Sequence, residues 1–151
     1  MRRACDWHIV HARHKLLIRE NLLLSGAENT TELQLLSQVL REEAKRHLDT
    51  VLHIMGCLDQ GPQMSYIRAG LATHDRYLWA QTMETAIQHK TEGRLFQELA
   101  ILYETERDGG DLGGEPPGRS LPDWLAWCQE YGSAWLADCA RYCQPTREAA
   151  R

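Results

Sequence analysis

Three histidines, His8, His11 and His14, fall within one short stretch near the start of the chain. Imidazole is the commonest transition-metal ligand and the side chain that titrates nearest neutrality. At about 100° per residue, neighbouring members of this set share a helix face, but His8 and His14 lie about 120° apart. All three therefore cannot converge on one ion from a single helix; a pair could, given a partner from elsewhere in the chain. The alternative is a solvated polar face. Glu43 and His47, four residues apart, suit an acid/base couple or a metal pair, yet the second histidine of His-Glu-x-x-His is missing. Such a pair otherwise adds only a weak helix-surface interaction. Cys139 and Cys143 share the same spacing; the apolar company of Trp135, Leu136 and Ala140 makes them small packing residues rather than ligands.

Two further groups suit recognition. Arg68, Arg76 and Arg94 can form an exposed ridge that suits acidic partners, with Trp79 beside them; the alternative for the arginines is plain solvation. Trp124, Trp127 and Trp135 are close in sequence, and tryptophan serves both as core filler and as interface anchor. Helical spacing of Trp124 with Cys128, and of Trp135 with Cys139, favours the core. No Gly-x-Ser-x-Gly elbow, phosphate-cradling Gly-rich loop or zinc-spaced cysteine quartet is present. Neither a catalytic residue, nor a cofactor, nor a metal is assigned on these grounds.

Composition narrows the classes. The 151 residues carry 17 Lys and Arg against 21 Asp and Glu, a net charge of -4, without the basic excess of nucleic-acid binders. The longest apolar runs are far below the roughly 20 residues that cross a bilayer. Arg2 and Arg3 are followed by Cys5, Asp6, Trp7 and His8 instead of an apolar segment, so a secretory leader is not expected and a cytoplasmic location is. Five cysteines without regular spacing read as reduced thiols.

The elements that must hold these residues are helices. Trp7, Val10, Leu17, Ile18 and Leu22 form a loose stripe from about Asp6 to Leu24, ending in a turn at Ser25 and Gly26. Leu33, Leu36, Leu40, Ala44, Leu48, Val51, Met55 and Leu58 form the strongest stripe, with Thr30 or Thr31 as cap and a kink or break expected near Glu43. Gly61-Pro62 stops one helix and starts another, carrying Met64, Ile67 and Leu71. Asp75 caps a helix holding Leu78, Trp79, Thr82, Met83, Ala86 and Ile87; a further helix from Glu92 to about Glu106 turns Leu95, Leu99 and Leu102 inward. The glycines and prolines of 108–119 predict a flexible loop. Ser120 and Asp123 open a helix with Trp124, Leu125, Trp127 and Cys128. Gly132 and Ser133 precede a last helix, with Trp135, Leu136, Cys139, Ala140 and Cys143, that ends at Pro145.

Between Leu40 and Tyr103 the string resembles the HEAT-type helical repeats found as soluble extensions of bacterial transporters similar to ATP/ADP translocases, within the major facilitator group. LREEAKRHLDTVLHIMGCL resembles the long helix entering the repeat, QMSYIRAGLATHD the next helix and its turn, and RYLWAQTMETAI the second helix of the hairpin. AWLADCARYC and HARHKLLIREN extend the likeness to about Ile9 to Cys143. The chain departs from that pattern at Trp79, where an arginine four residues after the turn aspartate is usual, at Thr82 in place of alanine, and at Ala137 in place of arginine. The resemblance implies a regulatory or scaffolding role on the cytoplasmic side, association with a membrane transporter, and no reaction.

The reading is therefore an all-α chain of about six or seven helices, a right-handed stack of helical hairpins of HEAT-like α-solenoid type. Residues 1–143 form one domain and 144–151 a disordered tail. The expected function is non-catalytic interaction with a protein partner through Arg68, Arg76, Trp79 and Arg94, with no nucleic acid. The rivals are a nucleic-acid-processing protein of the HEAT-like DNA glycosylase type and a histidine-based metal binder.

Overall fold

The computed structural model describes residues 2–24, 30–58, 61–73, 75–89, 92–109, 112 and 120–144. Among them there are seven helices and no strand: α1 (Arg2–Leu24), α2 (Thr31–Leu58), α3 (Pro62–Leu71), α4 (Arg76–Ile87), α5 (Gly93–Asp108), α6 (Leu121–Tyr131) and α7 (Ala134–Tyr142). The turn expected at Ser25 and Gly26, most of the Gly/Pro loop and the tail from Pro145 lie outside the described residues. None of the described helices is long and apolar enough to cross a membrane.

Helix boundaries follow local chemistry. Thr30 Oγ1 accepts from the Leu33 amide at the start of α2, and Asp75 Oδ1 accepts from the Tyr77 and Leu78 amides at the start of α4. Pro62 occupies the first turn of α3, where no amide donor is required. Ser120 and Asp123 exchange the reciprocal bonds of a capping box, and Ser133 Oγ accepts from the Leu136 amide. These caps satisfy amides that the first helical turn cannot pair internally.

α1 and α2 form a long antiparallel pair. Cross-contacts join His8 to His47, Lys15 to Glu43 and Arg19 to Ser37, so position falls along α2 as it rises along α1. Two apolar clusters lie along this pair. The first takes Cys5, Ile9, Ala12 and Leu16 of α1 and Ala44, Leu48, Val51, Leu52 and Met55 of α2, and closes them with α3, α4 and α5. The second takes Ile18 and Leu22, then Leu36, Val39 and Leu40, and closes them with α6 and α7. Consequently α2 touches α1, α3, α5 and α7, while α3 with α4, α4 with α5 and α6 with α7 pack as successive neighbours.

Where the clusters meet, α1 changes the face it buries. Residues 5, 9, 12 and 16 share one azimuth, whereas 18 and 22 lie about 130° around the helix. The single stripe expected from Trp7 and Val10 is accordingly corrected: both are about half exposed, at 53% and 52%. Of the kink or break expected near Glu43, the break is absent: α2 runs as one helix through that position. Trp135, expected in the core, is 60% exposed, because Leu136, Cys139 and Ala140 occupy the inward face of α7. Leu78 and Ile87 also stay partly in solvent. Leu112, within the Gly/Pro loop, is buried in the first cluster, so that stretch contributes an apolar anchor that composition alone did not suggest.

At the junction of the two clusters sits a charged pair. Lys15, 4% exposed, places Nζ 3.5 Å from Glu43 Oε2, and Ser133 donates to Glu43 Oε1. One carboxylate thus ties α1, α2 and the start of α7. Removing one partner leaves a buried charge, at a cost of about 3–5 kcal/mol, whereas replacing both by apolar groups of similar size is close to neutral. Urea unfolding should therefore show Glu43→Leu losing about 3 kcal/mol and the Lys15→Met/Glu43→Leu double variant regaining most of it.

Candidate functional site

A groove of about 1190 Å³ is floored and walled by α2, α3, α4 and α5. Its chemistry follows from i, i+4 spacing on the outward face of α2: Arg41, Lys45, Asp49 and His53 line one wall. α3 supplies Arg68, α4 supplies Arg76 and Trp79, and α5 supplies Tyr103, Glu106, Arg107 and Asp108.

The charges are held in an organised array. Arg41 Nε lies 2.9 Å from Glu106 Oε1, linking α2 to α5. Tyr103 donates to Asp49 Oδ1 at 2.8 Å, and burial, reinforced by the Asp49 carboxylate, pushes the phenol well above its usual range. Arg76 Nη2 meets Asp108 Oδ2 at 2.8 Å, and Arg107 approaches the same carboxylate at 3.5 Å. The Arg107 guanidinium also stands 4.7 Å above the Trp79 ring, a cation–π contact that fixes both. Trp79 in turn meets Tyr103 edge to face.

Arg68 is held differently. Its stem crosses α2 at Gly56, where a Cβ would stand within 2.8 Å of Arg68 Nε, and its Nη2 reaches His53 Nδ1 at 3.4 Å. The missing side chain of Gly56 is the notch that lets the guanidinium lie across the helix into the groove. A comparable fit joins α3 to α4, where Gly70 receives the buried Thr82, whose hydroxyl is satisfied by Leu78 O at 2.7 Å. The threonine that departs from the resembled pattern thus has a defined seat.

Of the four residues singled out for interaction, Arg68 and Arg76 line this groove and Trp79 lies in its floor. Trp79 is only 6% exposed, so it supports Arg107 rather than presenting a free indole. Arg94 is exposed near the start of α5 and does not line the groove. Arg41, Lys45, Tyr103 and Arg107 escaped the sequence reading; the only signal was the four-residue spacing of 41, 45 and 49 on the polar face of α2.

The histidines divide as their spacing requires. His14 turns toward Trp127, with ring centroids 6.1 Å apart. His8 and His11 face His47 instead, with Trp7 against all three rings. Two pairs noticed separately in the sequence therefore meet across α1 and α2. Among the described residues, no group of three or more His, Cys, Asp or Glu side chains is arranged to hold a metal ion. Cys139 and Cys143 belong to the second apolar cluster with Cys128. Burial, then Cys139, pushes the Cys143 thiol up to about 11; burial, then Glu43, pushes Cys128 up to about 12. Such thiols stay protonated and unreactive.

No protein-family model matches the chain, and no curated protein or solved structure matches it significantly.

The Gly56 notch generates a specific expectation. Gly56→Ala displaces only the far end of a flexible side chain and improves helix propensity, so stability in urea should hold or rise by about 0.5–1 kcal/mol. The Arg68 Nε–H resonance should shift at the same time. A loss above about 2 kcal/mol would place Arg68 among the groups that hold the fold together.

Proposed function

We propose that this chain is a non-catalytic interaction module whose groove between α2, α3, α4 and α5 docks an acidic segment of a protein partner. The observation that carries this reading is the array of Arg41, Lys45, Arg68, Arg76 and Arg107 drawn from four helices into one concavity of about 1190 Å³. Most of these guanidinium groups are already oriented by neighbours, by Glu106, Asp108, Trp79 or the Gly56 notch. Binding then orders few further side chains, which lowers its entropic cost.

Interspersed carboxylates refine the partner. Glu42, Asp49, Glu106 and Asp108 alternate with the cations, which suits a peptide of mixed polarity bearing spaced acids and disfavours the continuous phosphates of nucleic acid. The successive packing of α3 on α4 and α4 on α5 supports the helical-hairpin reading and the HEAT-like resemblance. The reach of α2 to α5 and α7 makes this module more interwoven than a linear stack. In this reading the partner is met in the cytoplasm, where a membrane transporter with an acidic cytoplasmic segment fits the resemblance.

Arg68→Glu/Arg76→Glu tests the reading against an internal control, Arg94→Glu, which lies off the groove. Exposed ion pairs such as Arg76–Asp108 contribute at most about 1 kcal/mol, so melting should move by no more than a few degrees in either variant. A partner captured from cell extract by the unaltered protein should be lost by the double variant and retained by Arg94→Glu. Equal retention by both would remove the groove from the interaction.

A further inference from the structure

The contact between α1 and α2 contains a hydrogen-bonded line whose direction is fixed by chemistry. Lys15 Nζ stands 3.3 Å from His47 Nε2. An ammonium carries only donors, so Nε2 is the acceptor and His47 holds its proton on Nδ1. That Nδ1 faces His8 Nδ1 at 2.8 Å. His8 therefore accepts, and its own proton resides on Nε2. The line runs Lys15 to His47 to His8, and the charge at its head is balanced by Glu43, which also accepts from Ser133.

In this arrangement the lone pair of each ring is already used. The free nitrogen of His8 points at the N–H of His47, and that of His47 points at the Lys15 ammonium. Neither imidazole can take up a proton without breaking a hydrogen bond that joins the two helices. The same tautomers speak against a metal ion between the rings, since His47 Nδ1 is a donor there and not a free ligand.

We infer that His8, His47 and Lys15 form a proton-sensitive latch, in which a proton bound at His8 Nδ1 sets two N–H groups face to face and releases the first turns of α1 from α2. The groups facing the latch are His11 and Lys15 of α1, Glu43 of α2 and Ser133 at the head of α7, with His14 reaching His11 through its field. Cys128 of α6 lies in the field of Glu43 and Lys15, and Glu92, before α5, in that of Cys5, three residues ahead of His8. Trp7 packs on His8, His11 and His47, so opening also parts the indole from His47 of α2.

The sign of the response follows. Burial, then Lys15, His8 and His11, hold His47 down to about 4 from 6.5; burial lowers His8, and burial with Lys15, His14 and His8 lowers His11. The latched state thus binds fewer protons than an opened one, whose imidazoles titrate near 6.5. Latching is complete above about 6.5 and weakens as pH falls toward about 4.

Amide exchange on the full chain, corrected for its intrinsic pH dependence, reads this directly. Between about pH 7.5 and 5, protection of residues 4–13 should fall on the order of tenfold relative to α7. His8→Asn places an oxygen where Nδ1 stands, accepts the same bond and does not titrate, so it should abolish the fall. Long-range proton–nitrogen correlation on the unaltered protein at about pH 7.5 should show His47 protonated on Nδ1 and His8 on Nε2, whether or not the variant folds. A proton on His47 Nε2, an undiminished fall in His8→Asn, or no relative fall at all would overturn the latch.

Discussion

The buried pair of Lys15 and Glu43 is the constraint around which the helices are arranged. It lies where the two apolar clusters meet, and neither charge can leave the junction without stranding the other. Because Glu43 also accepts from Ser133, the pair fixes the register of α1 on α2 and the position of α7 together. It then acts beyond its own contact: the ammonium decides which nitrogen of His47 carries the proton, and His47 decides the same for His8. An electrostatic requirement at one point is passed on as tautomer identity two hydrogen bonds away.

The groove is the complementary product of the same arrangement. α2 turns its apolar residues toward α1, α3 and α5 and leaves Arg41, Lys45 and Asp49 facing the opening. α5 returns alongside, so Glu106 and Tyr103 meet Arg41 and Asp49 across the gap. The burial of Trp79 gives Arg107 an aromatic seat, and the bare backbone of Gly56 gives Arg68 a channel. The groove is therefore built on packing decisions made underneath it.

Much of the helical order was legible in the sequence, because caps and stops are local chemistry. Thr30, Pro62, Asp75, Ser120 and Ser133 act within one turn of their own position, and each marks the helix start it predicts. α1 was less legible, since a helix that buries two faces along its length spreads its apolar residues around the cylinder and mimics weak patterning. Trp135 misled for a related reason: a large apolar residue at helical spacing fits an inward or an outward face, and only Leu136 beside it settles which. For the site, Arg68 and Arg76 were visible as exposed cations, but the convergence of His8 with His47, or of Gly56 with Arg68, depends on which helices become neighbours. That is tertiary information with no short-range signature.

The unbroken course of α2 has a mechanical meaning. Its 28 residues make a rod of about 42 Å at 1.5 Å per residue, about as long as a globule of this size is wide. One end packs against α7, the other against α3. Pivoting by a few degrees about Glu43 would carry both tips through roughly 1–2 Å in opposite senses. A displacement of one extremity about the ionic junction would thus be mirrored at the other, as by a lever on a fulcrum.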